Sequence, residues 1–157
     1  MPSASQPHRL TRDDPRLSEV LTLIRGSFTF MDGRIDPPSS MHRLTETAIQ
    51  DHCDTGEVWT VGRPVTACIF LMPQPDSLYI GKLAVAETHR GQGLAHQLVT
   101  HAETRARARG LTTLMLETRI ELVENHAAFA RLGFSIMAKA AHPGYARPTF
   151  VVMHKAL

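Results

Sequence analysis

The chain has 157 residues, enough for one domain with a single hydrophobic core but not for two. Its composition, 43% hydrophobic and 20% charged with no low-complexity segment, is typical of a folded globular protein. The formal net charge of +2 gives no reason to expect a nucleic acid or a membrane surface as a partner. The longest near-apolar run, residues 65–72, is far shorter than the roughly 20 residues that cross a bilayer.

The N-terminus and the cysteines bear on where the protein works. Residues 1–7 have no basic segment followed by an apolar one, so they predict no secretory signal, and we expect a flexible terminus there. Cys53 and Cys68 lack C-x-x-C spacing and are too few for a disulfide framework, which favours reduced thiols in a cytoplasmic protein. The nine histidines show no zinc-binding spacing, so no metal is expected.

The first third of the chain reads as a short strand and two helices. Residues 8–11 are predicted to form the strand, and Asp13, Asp14 and Pro15 then open a helix that ends at Gly26. Residues 28–40 are rich in Gly, Pro and Asp and predict an ordered loop. A second helix is expected over about residues 40–52.

The middle of the chain changes to strand periodicity. Three β-rich runs, at residues 57–61, 65–72 and 77–85, are separated by turns that contain Gly62, Pro64 and Pro73. Short turns of this kind join antiparallel neighbours, so we predict three consecutive antiparallel strands.

The strongest helix signal lies at residues 94–109, where an apolar stripe precedes three arginines and Gly110. Those arginines suit the helix dipole; a DNA-reading helix is the alternative, but the rest of the chain lacks a basic face. A strand at 114–118, a helix at 125–132 and strands near 134–138 and 149–154 follow. The order predicts one mixed α/β (α+β) domain over residues 1–157.

The turn before the strongest helix carries the clearest chemical signal. The segment R-G-Q-G-L-A at residues 90–95 leads from a strand directly into the helix. Gly91 and Gly93 allow a close approach of the backbone, the first helical turn has free N–H groups, and Arg90 adds a positive charge. These features together suit a diphosphate, although tight turns without any ligand have similar glycines. Neither the Walker phosphate loop nor the full G-x-G-x-x-G fingerprint is present.

Two motifs resemble those of the GNAT N-acetyltransferase superfamily. R-G-Q-G-L-A at 90–95 fits the pattern R/Q-x-x-G-x-G/A and follows L-A-V at 83–85, which is similar to the family's L-x-V strand end. N-H-A-A-F-A-R-L-G-F at 125–134 is similar to the family's N…Y/F-x-x-L-G-F helix. The resemblance covers nearly the whole chain.

The resemblance implies a mostly antiparallel sheet that splays between strands 4 and 5, flanked by about four helices, with acetyl-CoA in the opening. By the family pattern, the cofactor-binding residues are one strand end, the turn with the start of the helix after it, and two residues of the later helix at 125–132: Leu83, Ala84, Val85, Arg90, Gly91, Gln92, Gly93, Leu94, Ala95, Asn125 and Phe129. Asn125 also suits a helix N-cap. No metal is implied.

The catalytic residues are less clear from the sequence. Where the family often has a tyrosine that protonates the leaving thiolate, this chain has Phe129, which has no proton to give. Glu117 is the first candidate for the base that deprotonates the amine, since its strand faces the implied opening. The weaker candidates are His126, Tyr79, His142 and Tyr145.

The implied acceptor site lies between loops. Residues 31–40 and 142–148 are expected to shape its entrance, and Asp32 and Asp36 could attract a cationic amine. The resulting expectation is an acetyl-CoA-dependent N-acetyltransferase that acts on a small-molecule or peptide amine by direct attack in a ternary complex. The alternative is a catalytically silent acyl-CoA-binding sensor or interaction domain. The sequence leaves the oligomeric state open, a homodimer included.

Overall fold

The computed structural model describes residues 6–157, apart from the side chains of Phe30 and His42, as one seven-stranded sheet with four α-helices. The strands are β1 (His8–Arg9), β2 (Glu57–Val61), β3 (Ala67–Pro73), β4 (Leu78–Val85), β5 (Thr113–Arg119), β6 (Ser135–Ala140) and β7 (Phe150–Ala156). The helices are α1 (Leu17–Phe28), α2 (Glu46–Thr55), α3 (Leu94–Ala108) and α4 (Val123–Arg131). Residues 1–5, and with them most of the predicted flexible terminus, lie outside the described residues.

The sheet has the order β1-β2-β3-β4-β5-β7-β6, and all its neighbours are antiparallel except β4 and β5. The parallel pairing of β4 with β5 begins at Leu78 and Leu114 and stops at Ile80 and Leu116. Both strands continue beyond that point, to Val85 and Arg119 respectively. They therefore separate, and the predicted splay between the fourth and fifth strands is confirmed.

Helices cover the two faces of the sheet because successive strand residues point to opposite sides. On one face α3 packs Leu98 and Ala102 against a cluster that includes Ile69 of β3. On the other face α1 and α2 pack against a second cluster that includes Phe70, the next residue of the same strand. Alternate residues of β3 thus serve two separate cores.

Several helix boundaries differ from the sequence-based expectation. Residues 40–52 do not form one helix: a short 3-10 turn, Ser40–Arg43, comes first, and Thr45 then caps α2 by accepting a hydrogen bond from the amide of Ala48 at 3.1 Å. Helix α1 continues past Gly26 to Phe28. Helix α4 begins at Val123, so Asn125 is not its N-cap.

The arginines near the end of α3 have a more specific role than matching the helix dipole. Arg105 and Arg109 donate to the fully buried carboxylate of Glu57, and Trp59 Nε1 donates to it at 2.7 Å. Burial raises the pKa of Glu57, but the hydrogen bonds from Arg105, Trp59 and Arg109 outweigh burial and lower it from 4.5 to about 2. The group ties the end of α3 to β2, which explains two of the arginines without a nucleic acid.

Two other features concern cysteines and membranes. Cys53 and Cys68 are both free, and burial raises the pKa of the Cys68 thiol to about 12. Among the helices of residues 6–157, none combines the length and the hydrophobicity that crossing a bilayer requires.

Candidate active site

The splay between β4 and β5 opens a cleft with two neighbouring cavities. The turn-side cavity, about 340 Å³, is lined by Ser27, Phe28, Leu83, Ala84, Val85, Arg90, Glu124 and Asn125. The loop-side cavity, about 260 Å³, is lined by residues of β4, β5 and α4 and of the loops around positions 31–41 and 142. Phe28, Leu83 and Asn125 line both cavities, so the two form one continuous cleft.

The turn before α3 has the geometry of an anion site. Gly91 and Gly93 have φ values of +78° and +79°, which residues with a Cβ rarely adopt, and Gly93 directly precedes the first residue of the helix. Among the residues described, no protein oxygen accepts from the backbone amides of residues 91–95. A Cβ added to either glycine would meet nothing within 4 Å, so the surface above the turn is open. A diphosphate therefore fits here, beside the exposed Arg90.

The free edge of β4 forms one wall of the cleft. Beyond Ile80 the strand has no partner on the β5 side, so its main-chain groups there are available to a ligand. A β-bulge lies at this point: Phe70 pairs with Lys82 and Leu71 with Ile80, which leaves Gly81 without a partner. The bulge changes the direction of β4 where the two strands separate.

Helix α4 supplies the opposite wall through Asn125 and Phe129. Both side chains are half-buried and line the cleft. The Phe129 ring packs edge-to-face on Phe134, with centroids 5.8 Å apart, and contacts the core cluster under α3. The structure thus brings the predicted strand end, Arg90 of the turn and the two α4 residues to one cleft, whereas residues 91–95 do not line either cavity. Their roles in binding stay predictions.

Tyr79 and Glu117 meet in the loop-side cavity, on adjacent strands at the start of the splay. Burial, followed by the negative charge of Glu117 and a hydrogen bond to its carboxylate, raises the pKa of Tyr79 to about 12. Tyr79 therefore keeps its proton at neutral pH and donates it in a hydrogen bond to Glu117. The Glu117 side chain is itself exposed and accessible from the cavity.

The other three of the four weaker catalytic candidates have partners of their own. His126 Nε2 lies 2.9 Å from the carbonyl oxygen of Arg119, outside the cavity lining. His142 lines the cavity, but its Nδ1 lies 2.5 Å from Thr149 Oγ1. The hydroxyl of Tyr145 donates to Asp36 at 2.7 Å. These contacts hold loops and strand ends in place.

The two loops predicted to shape the entrance are joined to each other. Asp36 accepts hydrogen bonds from Tyr145 and from Arg147, the latter at 3.1 Å, and its amide donates to Glu121. Arg119 of β5 donates to the carbonyl oxygens of Pro37 and Pro38. The carboxylate of Asp36 is therefore engaged within the protein, which argues against its predicted role in attracting an amine.

Gly81 and Lys82 are among the cleft residues that sequence reasoning missed. An isolated glycine within a strand pattern is a recognised sign of a bulge, and it was present at position 81. The signal for Lys82 was a lysine inside an otherwise apolar run, and its side chain lines the loop-side cavity. Within residues 6–157, no three His, Cys, Asp or Glu side chains are grouped so that they could hold a metal ion.

Comparison with known proteins agrees with this fold. A family model described as "Acetyltransferase (GNAT) family" matches residues 19–134. The PaiA N-acetyltransferase from Thermoplasma acidophilum, solved in complex with coenzyme A, is 11% identical with a TM-score of 0.80 over 97% of this chain and 98% of that one. A GNAT family acetyltransferase from Elizabethkingia anophelis with acetyl-CoA bound is 17% identical, with a TM-score of 0.69 over 97% of each chain. The ribosomal-protein-S18-alanine N-acetyltransferase from Escherichia coli is 16% identical, with a TM-score of 0.70 over 96% of this chain and 94% of that one. At these identities the structural matches show a shared fold.

Proposed function

Because this chain belongs to the acetyltransferase (GNAT) family, we propose that it transfers an acetyl group from acetyl-CoA to a primary amine, by direct attack in a ternary complex. The observation that carries the proposal is the open turn at residues 90–95, at one end of a cleft that has the carboxylate of Glu117 in its other cavity. The coenzyme-bound structures with the same fold support it. The acceptor is a small molecule or the end of a peptide, since the loop-side cavity is small.

Each part of the cleft suits one part of the cofactor. The backbone amides of Gly91, Gly93 and Ala95 donate to the diphosphate, and Arg90 adds a neighbouring positive charge. The free edge of β4 at Leu83 and Val85 pairs with the amides of the pantetheine arm, much as an added strand would. Asn125 reaches the arm from the opposite wall.

The residues of the loop-side cavity prepare the amine. Acetyl-CoA supplies the thioester whose acyl carbon the amine attacks. An amine is protonated at neutral pH, and Glu117 takes that proton directly or through a water molecule, a contribution of roughly 10²–10⁴ in rate. Tyr79 fixes the orientation of the Glu117 carboxylate by its hydrogen bond. Holding the amine and the thioester together contributes up to ~7–11 kcal/mol more.

The departing thiolate leaves without an acid from this chain at position 129. Phe129 has no hydroxyl, and its ring packs on Phe134 beside the cleft. A thiol has a pKa of about 8.5, so its conjugate base is a tolerable leaving group near neutral pH. Loss of the tyrosine typical of the family is therefore compatible with turnover.

Initial-rate kinetics test the proposal. Thiol release from acetyl-CoA is followed while both acetyl-CoA and an amine are varied, with amino acids, polyamines and short peptides as acceptors. A ternary complex gives intersecting double-reciprocal lines. Parallel lines would indicate a covalent acyl-enzyme and would contradict direct attack.

The second candidate function is a silent acyl-CoA sensor, which the absence of a hydroxyl at Phe129 favours. The two candidates differ in one result. A sensor binds acetyl-CoA in calorimetry but releases no thiol above the uncatalysed rate with any amine of the panel, whereas the transferase releases thiol with at least one.

A further inference from the structure

Lys82 differs from the other two lysines of the chain in being half-buried without an anionic partner among the described residues. Lys155 donates to Glu103 and to a carbonyl oxygen, and Lys139 is exposed on the edge strand β6. The Lys82 side chain is half-buried, and in the part of the chain that the structure describes its ammonium makes neither an ion pair nor a hydrogen bond. Its recorded contact is with the Phe70 ring, whose centroid lies 5.1 Å from Nζ.

This position is unfavourable for an ammonium without a ligand. Burial lowers the pKa of Lys82, which reflects the loss of water around its charge. The Phe70 ring attracts the cation but accepts no ordinary hydrogen bond, so the three N–H donors of the ammonium lack acceptors among the described residues. Long lysine side chains usually extend until the ammonium reaches bulk water, whereas this one lines the cleft.

The charges around the loop-side cavity point to an anion as the missing partner. The second cation there, Arg119, already donates to two carbonyl oxygens of the neighbouring loop. The carboxylate of Glu117 is bound by Tyr79 and makes no salt bridge with Lys82. Lys82 is also absent from the lining of the turn-side cavity, where Arg90 faces the proposed diphosphate site.

We infer that Lys82 binds an anionic group of the acceptor, a carboxylate or a phosphate, so that the acceptor is an amine that also carries a negative charge. The inference rests on the proposed function and names its substrate class. Lys82 lies two residues beyond the last residue of β4 that pairs with β5, and Glu117 directly follows the last residue of β5 in that pairing. An acceptor lying across the cleft between them presents its anion to the ammonium and its amine to the carboxylate.

The size and lining of the loop-side cavity further restrict which anionic amines it can accept. Its volume of about 260 Å³ suits a small molecule, and Met31, Ile35, Leu122 and Phe150 give part of its lining an apolar character. Among amines with an anionic group, an amino acid with an apolar side chain matches this combination.

Matched acceptors test the inference. Leucine and phenylalanine are each compared with their amides, which keep the amine and the side chain but lose the negative charge. Ethanolamine and O-phosphoethanolamine form a second pair that distinguishes phosphate from carboxylate. We expect the charged member of one pair to have a kcat/KM roughly 10- to 100-fold higher than its neutral partner, since a buried polar site discriminates strongly against an analogue that lacks its hydrogen-bonding group.

Variants locate the effect at Lys82. Lys82→Met keeps the length of the side chain and should lower kcat/KM for the charged member at least tenfold more than for the neutral one, whereas Lys82→Arg should retain part of the preference. Lys139→Met, on the edge strand, is the control and should behave as wild type. Acetyl-CoA affinity, measured by calorimetry, shows that each variant is folded.

A binding measurement separates this inference from the proposed function. N-acetyl-leucine and its amide are titrated into the protein saturated with coenzyme A, which requires no turnover. If no amine is acetylated but the acid binds more tightly than the amide, the transferase proposal fails while the anion site stands. If both bind equally, or if Lys82→Met weakens both equally, the assignment of Lys82 is wrong.

Discussion

The hydroxyl of Tyr145 donates a 2.7 Å hydrogen bond to Oδ1 of Asp36, a residue 109 positions earlier in the chain. Arg147 donates to the other carboxylate oxygen, so one aspartate holds both loops at the mouth of the loop-side cavity. Met31 and Ile35 from the first loop and His142 from the second line that cavity. The shape of the entrance therefore depends on a contact between two distant loops.

Tyr145→Phe should loosen this entrance without affecting the core. The variant loses one hydrogen bond to Asp36, so residues 31–40 should open more often and exchange their amide hydrogens several-fold faster. Deuterium uptake measured by mass spectrometry checks this, with α2 as an internal control. The same uptake in wild type and variant would mean that Arg147 and the other contacts suffice to hold the loop.

Gly93→Ala should weaken acetyl-CoA binding at least tenfold, and Gly110→Ala is its matched control. Both glycines flank α3 with similar φ values, +79° and +72°, and a Cβ added to either meets nothing within 4 Å. The backbone strain, roughly 1–2 kcal/mol, should lower the two melting temperatures similarly. Because only Gly93 lies at the proposed diphosphate site, only its variant should lose affinity in calorimetry. If Gly93→Ala and Gly110→Ala bound acetyl-CoA with equal affinity, the diphosphate would bind somewhere other than this turn.

Glu117→Gln should reduce turnover by roughly 10²–10⁴ while leaving acetyl-CoA affinity intact, because the amide cannot accept the proton of the amine. Tyr79→Phe removes the hydroxyl that orients the Glu117 carboxylate, so it should lower kcat several-fold while leaving acetyl-CoA affinity unchanged. Turnover by Glu117→Gln equal to that of wild type would exclude Glu117 as the base.

Glu57 should make stability depend on pH in the acidic range. The pKa of Glu57 is about 2 in the folded protein and 4.5 ordinarily. The ionised Glu57 therefore stabilises the folded protein fully above about pH 4.5, and this contribution is lost as the pH falls towards 2. The free energy of unfolding should fall by about 2–3 kcal/mol over this pH range, allowing for the partial exposure of Arg105 and Arg109. Glu57→Gln should abolish this dependence and lower the free energy of unfolding at neutral pH, as urea titration at several pH values can measure.

The control for Glu57 is Asp54→Asn, which removes an ion pair with Arg12 whose side chains are each 46% exposed. An exposed pair is worth little because water and salt screen it, so this variant should unfold close to wild type. A loss as large as that of Glu57→Gln would contradict the argument from burial.

The sequence predicted those parts of the fold that depend on local signals. The turn at residues 90–95, helix α3 and the antiparallel strands β2 to β4 all lie within continuous patterns of glycine, apolar and β-branched residues. The splay between β4 and β5 came from the family resemblance, since a parallel pair of strands joined through a helix has no local signature of its register.

The features that were missed depend on contacts between distant residues. The partners of Arg105 and Arg109 lie in β2, and the partner of Tyr145 lies in a loop near the start of the chain. Lys82 becomes noticeable only in the folded chain, where no carboxylate of residues 6–157 pairs with its ammonium. Sequence periodicity describes neither kind of relationship.

The short pairing between β4 and β5 has a mechanical consequence. Three residue pairs connect the first four strands to the last three, whereas β5 and β7 share seven pairs. A molecule that contacts both walls of the cleft therefore works as a cross-link between two halves of the sheet. When that molecule leaves, only the three residue pairs join β4 to β5. Local unfolding between the two halves of the sheet should therefore be more frequent while the cleft is empty than while it is occupied.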